Sequence, residues 1–95
     1  MKPKPGITSA DYKAQGGKLL RVRLEVSGDV IRAITITGDF FMHPEEALEQ
    51  LERLLTGAAF DEGAIRARVQ TFFDGGVQVI GSDVEDFVTV IMRAR

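Results

Sequence analysis

The stretch that decides the fold runs from residue 20 to residue 37 and reads LRVRLEVSGDVIRAITIT. From Leu20 to Val26 apolar and charged residues alternate, which is the period-two pattern of a strand with one buried face. Gly28 and Asp29 are residues typical of a two-residue hairpin turn. The β-branched run that follows them favours a returning strand. The stretch therefore predicts an antiparallel β-hairpin.

The register of this hairpin determines which side chains share a face. If Gly28 and Asp29 are the two turn residues, Glu25 lies opposite Arg32 as a favourable cross-strand ion pair. The face that carries this pair mixes charged residues with two isoleucines: Arg21, Arg23, Glu25, Arg32, Ile34 and Ile36. In so short a chain the helices can cover only one face of the sheet. The apolar side chains of the first strand lie on the face opposite the mixed one, so we expect the helices to cover that apolar face. We therefore expect the mixed face to bind a partner, through Arg21, Arg23, Arg32, Ile34 and Ile36.

Three helical patterns follow the hairpin. We expect Pro44 at the first position of the first helix, and Asp61 as the N-cap of the second. Ser82 with Glu85 three residues later predicts a capping box for the third. Short strands are expected over residues 9–14 and 77–80.

The order of these elements predicts one α+β domain. Its small antiparallel sheet has two to three strands, and about three helices pack on one face of that sheet. Prolines and a glycine interrupt residues 1–8, where we expect a flexible lead-in, and the domain itself is expected over residues 9–95. With 95 residues and 10.4 kDa, the chain is long enough for one core.

Composition excludes several classes of protein. The absence of cysteine excludes disulfides, thiolate metal sites and a cysteine nucleophile, and a single histidine does not supply a His-rich metal site. Residues 1–38 hold seven Lys or Arg against three Asp or Glu, but the whole chain has a net charge of −2 and a pI near 5.3. That balance argues against a dedicated nucleic-acid binder. No apolar run is long enough to span a bilayer, so we expect a cytoplasmic protein without a membrane partner.

Two glycine-containing motifs are candidates for binding chemistry. Gly16, Gly17 and Lys18 combine exposed backbone N–H groups with a positive charge, as phosphate-binding loops do. A phosphate-binding loop of that kind immediately precedes a helix, whereas these glycines precede a strand. The alternative interpretation is therefore an exposed turn between two strands.

The second motif comprises Gly38, Asp39, Phe40 and Phe41, and it is followed by His43. Successive side chains of an extended segment diverge, so one phenylalanine is buried while the other lines a surface, or a kink buries both. His43 either carries a binding role or lies at the start of the first helix without one.

Taken in order, these motifs resemble the accessory domain of lipoate–protein ligases. The resemblance runs from about Tyr12 to Phe87 and includes the glycine turn, the hairpin, the Gly-Asp-Phe-Phe run, the His-Pro-Glu-Glu helix start and the late Val-Ile-Gly. In single-chain ligases this is the C-terminal domain, and in bipartite ligases it is a separate small subunit. The family's fold is also similar to the iron–sulfur scaffold proteins, but this chain lacks their cysteines.

The resemblance implies a small subunit that is not catalytic alone. A separate large catalytic subunit would bind ATP, Mg²⁺ and lipoate and form lipoyl-AMP, and lipoyl acceptor domains would be indirect partners. Residues near the adenylate are then expected among the two glycine motifs: Gly16, Gly17, Lys18, Gly38, Asp39, Phe40, Phe41 and His43. Two alternatives stay open: a stand-alone binding or regulatory module of the same fold, and a weak nucleotide- or RNA-binding domain.

Overall fold

The structure is a computed structural model that describes residues 7–14 and 18–95. It has five strands and three helices in these residues, and the predicted α+β class is confirmed. In chain order the elements are β1 (Ile7–Lys13), β2 (Leu19–Ser27), β3 (Val30–Gly38), β4 (Phe41–His43), α1 (Ala47–Leu55), α2 (Glu62–Asp74), β5 (Gln78–Ile80) and α3 (Val84–Arg93).

The main sheet is antiparallel and has the order β1-β2-β3. The predicted hairpin joins β2 and β3, and both turn residues, Gly28 and Asp29, have φ of 60°, as a tight hairpin turn requires. The expected first strand is present as β1. It begins at Ile7, so Ile7 and Thr8 belong to the sheet and not to a lead-in.

The predicted register of the hairpin is confirmed next to the turn, where Val26 lies opposite Ile31, but it is wrong from Glu25 onward. An irregularity between Glu25 and Val26 shifts the pairing by one residue, so Leu24 lies opposite Ile34 and Glu25 opposite Ala33. Val26 lies opposite Ile31, so Arg32, between Ile31 and Ala33, has no partner residue on β2. A one-residue shift moves every later side chain to the opposite face of the sheet.

The shift carries the two isoleucines of β3 into the core. Ile34 is 7% exposed and Ile36 is 1% exposed, so neither belongs to the exposed apolar patch that we expected on the arginine face. Both now share a face with the apolar side chains of β2. This is the face that α1 and α3 cover, while α2 packs against both helices.

Two of the three helix starts differ from the predicted residues. Residues 44–46 form a turn in which the Ala47 N–H donates to the Pro44 carbonyl at 3.0 Å, and α1 begins only at Ala47. The N-cap of α3 is Asp83, which forms a capping box with Asp86, and not Ser82 with Glu85. Beyond these first turns, the buried positions of both helices follow the apolar spacing of the sequence.

The predicted cap of α2 is confirmed. Asp61 accepts a hydrogen bond of 3.0 Å from the Ala64 N–H. The expected strand near residue 80 is also present as β5, which pairs antiparallel with β4 to form a second, two-stranded sheet. No helix in the described residues is long and apolar enough to cross a membrane.

Candidate functional site

Lys18, from the first glycine motif, and the second glycine motif lie at one end of the main sheet. Gly16 and Gly17 lie outside the described residues, but Lys18 immediately precedes β2 and Asp39 immediately follows β3. The Asp39 N–H donates to the Leu19 carbonyl at 2.9 Å, so the start of β2 and the end of β3 are in contact. The structure therefore brings Lys18 close to the Gly38–Phe41 motif, as a shared site requires.

Gly38 occupies a position that no side chain fits. A Cβ atom there would collide with the Leu19 carbonyl oxygen and would lie 2.9 Å from Cδ2 of Phe40. The Leu19 carbonyl oxygen belongs to the backbone, so it cannot move aside as the end of a flexible side chain can. This glycine thus allows the end of β3 to lie close to the Leu19 carbonyl of β2 and to the Phe40 ring.

Lys18 packs its aliphatic stem on the end of β5. A Cβ atom at Gly81 would lie only 2.9 Å from Cγ of Lys18, and Gly81 has a φ of 101°, where L-residues are strained. Gly81 therefore accommodates Lys18. The sequence alone did not indicate Gly81 as a site residue, because its contact with Lys18 depends on tertiary packing.

The two adjacent phenylalanines have separate roles, which confirms the first of the two alternatives. Phe40 points inward and meets the buried ring of Phe87 edge to face, with ring centroids 5.5 Å apart. Phe41 is 55% exposed and lies opposite Ile80, which is 64% exposed. Among the described residues these two are the only large hydrophobic side chains that are exposed.

A cleft of about 320 Å³ opens beside Phe41, between the outer edge of β3, strand β4 and the start of α1. Its lining is mostly apolar and comprises Ile36, Thr37, Gly38, Phe40, Phe41, Met42, Glu45 and Leu48. The cleft thus contains three of the residues expected near the adenylate, Gly38, Phe40 and Phe41, and also Ile36, which was expected at the partner interface. It adds Glu45 and Leu48, whose places in the sequence indicated only the beginning of a helix and its apolar side.

His43 is exposed at the far end of β4, where it pairs with Gln78, and it does not line the cleft. Within residues 7–14 and 18–95 there is no group of three or more His, Asp or Glu side chains able to hold a metal ion. Among the described residues, this end of the molecule offers a lysine charge, the carboxylates of Asp39 and Glu45, apolar surface and backbone groups.

The family of the chain follows from comparison with known proteins. The sequence profile of the family described as "Bacterial lipoate protein ligase C-terminus" matches residues 8–91. The chain belongs to this family. The resemblance of the sequence motifs to the ligase accessory domain is thereby confirmed.

Two relatives from Thermoplasma acidophilum are similar along most of their length. The protein named lipoate-protein ligase A subunit 2 is 37% identical over 83 residues, which cover 87% of this chain and 85% of the relative. A solved structure from an archaeal lipoylation system, described as a bi-partite lipoate protein ligase and its E2 lipoyl domain, superimposes with a TM-score of 0.82. Its sequence is 35% identical, and the match covers 90% of this chain and 93% of that chain.

The helix-free face of this ligase-family domain carries Arg21 and Arg23 on β2, and Arg32 lies on β3. Arg21 donates two hydrogen bonds to Asp11 across the sheet, at 2.8 and 3.1 Å, and the nearby guanidinium lowers the pKa of the Asp11 carboxyl. Arg23 lies between Ser9 and Thr35, and in the described part of the chain it has no ion pair. The arginine face, defined here as Arg21, Arg23 and Arg32, thus retains positive charge but lacks the expected isoleucines.

Proposed function

We propose that this chain is the small accessory subunit of a bipartite lipoate–protein ligase, and that it acts with a separate large catalytic subunit. The observation that carries the proposal is the match to a relative named as a subunit, of which 85% is covered. The large subunit would bind ATP, Mg²⁺ and lipoate and form lipoyl-AMP, and lipoyl acceptor domains would meet the complex and not this chain alone.

The chemistry of adenylation explains the need for a second subunit. The carboxylate of lipoate and the α-phosphate of ATP are both anionic, and the mixed anhydride that they form is sensitive to water. A small domain docked over the catalytic subunit supplies positive charge and excludes solvent, which helps hold the reacting groups in line.

The end of the main sheet that holds Lys18 and the Gly38–Phe41 motif is our candidate for the part of this subunit nearest the adenylate. Lys18 supplies the charge there, held by its stem on Gly81, and Gly38 and Asp39 supply nearby backbone. Phe40 supports the motif from within. Gly16, Gly17 and His43 belong to the same proposal, although the first two lie outside the described residues and His43 lies at the far end of β4.

The arginine face is our candidate for electrostatic docking to the large subunit. It is the side of the main sheet that the helices leave open, and positive charge there complements an acidic partner surface. Ile34 and Ile36 no longer belong to this candidate, because both are buried beneath the opposite face.

The proposal is tested by adding back the two subunits. The purified chain, the cognate large subunit and the mixture are each incubated with lipoate, ATP and Mg²⁺, and lipoyl-AMP is quantified by chromatography. We expect the mixture to form lipoyl-AMP and this chain alone to form none. Formation by this chain alone, or the same rate for the large subunit with and without it, contradicts the proposal.

A further inference from the structure

We infer that the cleft beside Phe41 is the docking site for an apolar side chain of the large subunit, next to a cationic residue that pairs with Glu45. This inference rests on the proposed function for the existence of the partner. It goes further in locating the contact, which the expected isoleucine patch no longer supplies.

The exposure of Phe41 is the first observation. An exposed phenylalanine directly opposite an exposed isoleucine forms a contiguous apolar patch, and such patches on small domains are typical of interaction sites. Phe41 lines the cleft, while Ile80 does not. The patch therefore continues inward from Phe41 as a concave surface.

The shape of the cleft fits a side chain better than a cofactor. Its volume of about 320 Å³ is at the low end of the roughly 300–1,000 Å³ range of small-molecule sites. Its walls include the exposed Phe41, Leu48, which packs against the core, and Met42, which is part of the core. Apolar pockets near the centre of an interface typically accept an anchoring side chain of the partner.

The charge of the cleft selects the kind of occupant. Glu45 is the only ionisable residue among those that line it. A carboxylate there disfavours an anionic group inside the cleft itself, because like charges repel. Lys18, our candidate for the charge near the adenylate, does not line the cleft. The Glu45 carboxylate favours a protein segment in which a lysine or arginine adjoins the apolar anchor.

The backbone at the cleft restricts how the partner binds. The edge of β3 faces the cleft, and a bare strand edge invites the addition of another strand. The Ile36 N–H on that edge already donates to the Glu52 carboxylate at 2.8 Å. The Ile36 N–H is therefore not available to a partner strand, which favours binding through a side chain in the pocket.

The cleft is also continuous with the arginine face. Thr37 lines the cleft, and it lies opposite Arg21 in the sheet. A partner that inserts an apolar anchor beside Phe41 thus reaches the arginines without a gap, so apolar and charged contacts contribute to one interface.

A fluorine label at position 41 tests the location directly. The chain contains no tryptophan, so Phe41→Trp made with 5-fluorotryptophan gives one fluorine signal. On titration with unlabelled large subunit, we expect this resonance to shift and its H₂O/D₂O solvent shift to decrease as the ring is buried. An unchanged resonance in a complex that sedimentation shows to be fully formed overturns the inference.

Affinity measurements by calorimetry test the anchor and the charge separately. Phe41→Ala is expected to weaken binding by at least about tenfold, as for an anchor contact, and Ile80→Thr by less than about threefold. Glu45→Lys is expected to weaken binding by at least about fivefold, whereas Glu49→Lys, the matched charge change on the exposed side of α1, changes it by less than about twofold. Equal effects within either pair contradict the inference.

Two further results would assign the cleft to another occupant. A dimer of the free chain that Phe41→Ala dissociates overturns the inference, as does lipoate binding to the free chain that Phe41→Ala abolishes. If the wild-type chain does not bind the large subunit at all, the proposed function fails. If it binds and all four variants bind equally well, only the location of the interface fails.

Discussion

Glu52 Oε2 accepts a hydrogen bond of 2.8 Å from the backbone N–H of Ile36, and this bond closes part of the outer edge of β3. The carboxylate comes from α1, which covers the sheet, so a helix side chain takes the place of a neighbouring strand. An edge strand with unpaired N–H groups is prone to pairing with other chains. This contact therefore protects the sheet as well as tying α1 to β3.

Replacing Glu52 tests this contact. Glu52→Ala leaves the Ile36 N–H without its partner, and the expected loss is about 1–3 kcal/mol of unfolding free energy, measured by urea denaturation. Glu52→Gln keeps an acceptor oxygen and is expected to lose less. An equal loss in both variants would show that the hydrogen bond is not the cause.

The burial of Ile34 predicts a loss of folding rather than a loss of docking on substitution. Ile34→Glu places a carboxylate where only 7% of the residue is exposed, so we expect the free chain to be unfolded by circular dichroism at 25 °C. Ile34→Val removes one methylene and is expected to cost about 0.5–1.5 kcal/mol. If the Ile34→Glu chain instead folds and unfolds cooperatively, the result would contradict the burial of Ile34 and support the register predicted from the alternation.

That register marks the limit of what the sequence could show. Alternation located β2 and β3, and the turn residues located the hairpin, because both depend on local geometry. Nothing in the alternation marks Arg32 as an extra residue, since a bulge inserts one position without a distinct residue type at this site.

The start of α3 was ambiguous for a similar reason. Ser82 with Glu85 and Asp83 with Asp86 both have an N-cap residue with an acid three positions later. In the structure Glu85 instead binds Arg66 of α2, which leaves the cap to Asp83 and Asp86. A tertiary contact decided between two equivalent local patterns.

The candidate site was predictable only in part. The split between Phe40 and Phe41 follows from divergence of neighbouring side chains. The cleft does not, because it requires β4 to pair with β5, and a three-residue strand has too few residues to show a period. Gly81 was not predicted as a site residue, because its contact with Lys18 also depends on tertiary packing.

Removing the charge of Lys18 tests its proposed role near the adenylate. Lys18→Met keeps an aliphatic stem to pack on Gly81, so the melting temperature is expected to change little. In the two-subunit mixture we expect lipoyl-AMP formation to fall by about 10²–10³-fold if the ammonium contacts developing charge. Lys13→Met, a matched change in β1, is the control, and equal rates for both variants exclude the role.

The ion pair between α2 and α3 predicts a specific acid sensitivity. Arg66 donates to Glu85 at 2.7 and 3.0 Å and lowers the pKa of that carboxyl. A group with a lowered folded pKa stabilises the fold above its unfolded pKa and loses that contribution as the pH falls through the folded value. The melting temperature should therefore fall as the pH is lowered from about 5.

Glu85→Gln tests this dependence. Its melting temperature should be below that of the wild type at pH 7, and the difference should shrink toward pH 3, since the wild-type carboxyl is then protonated. Glu49→Gln is the matched control. In the wild type an oxygen of Glu49 lies 3.7 Å from a guanidinium nitrogen of Arg53, and we expect its replacement to leave the pH dependence of the melting temperature unchanged. A difference that stays constant with pH would show that the Glu85 charge does not contribute.

The most direct test of the account is a titration of this chain into a fixed concentration of the cognate large subunit, with the initial rate of lipoyl-AMP formation as the readout. We expect a rate that rises with added chain and saturates. Heat-unfolded chain should leave the rate at its starting value. A rate that does not depend on the added chain, while sedimentation shows the complex to be formed, would contradict the assignment of this domain as an accessory subunit required for activation.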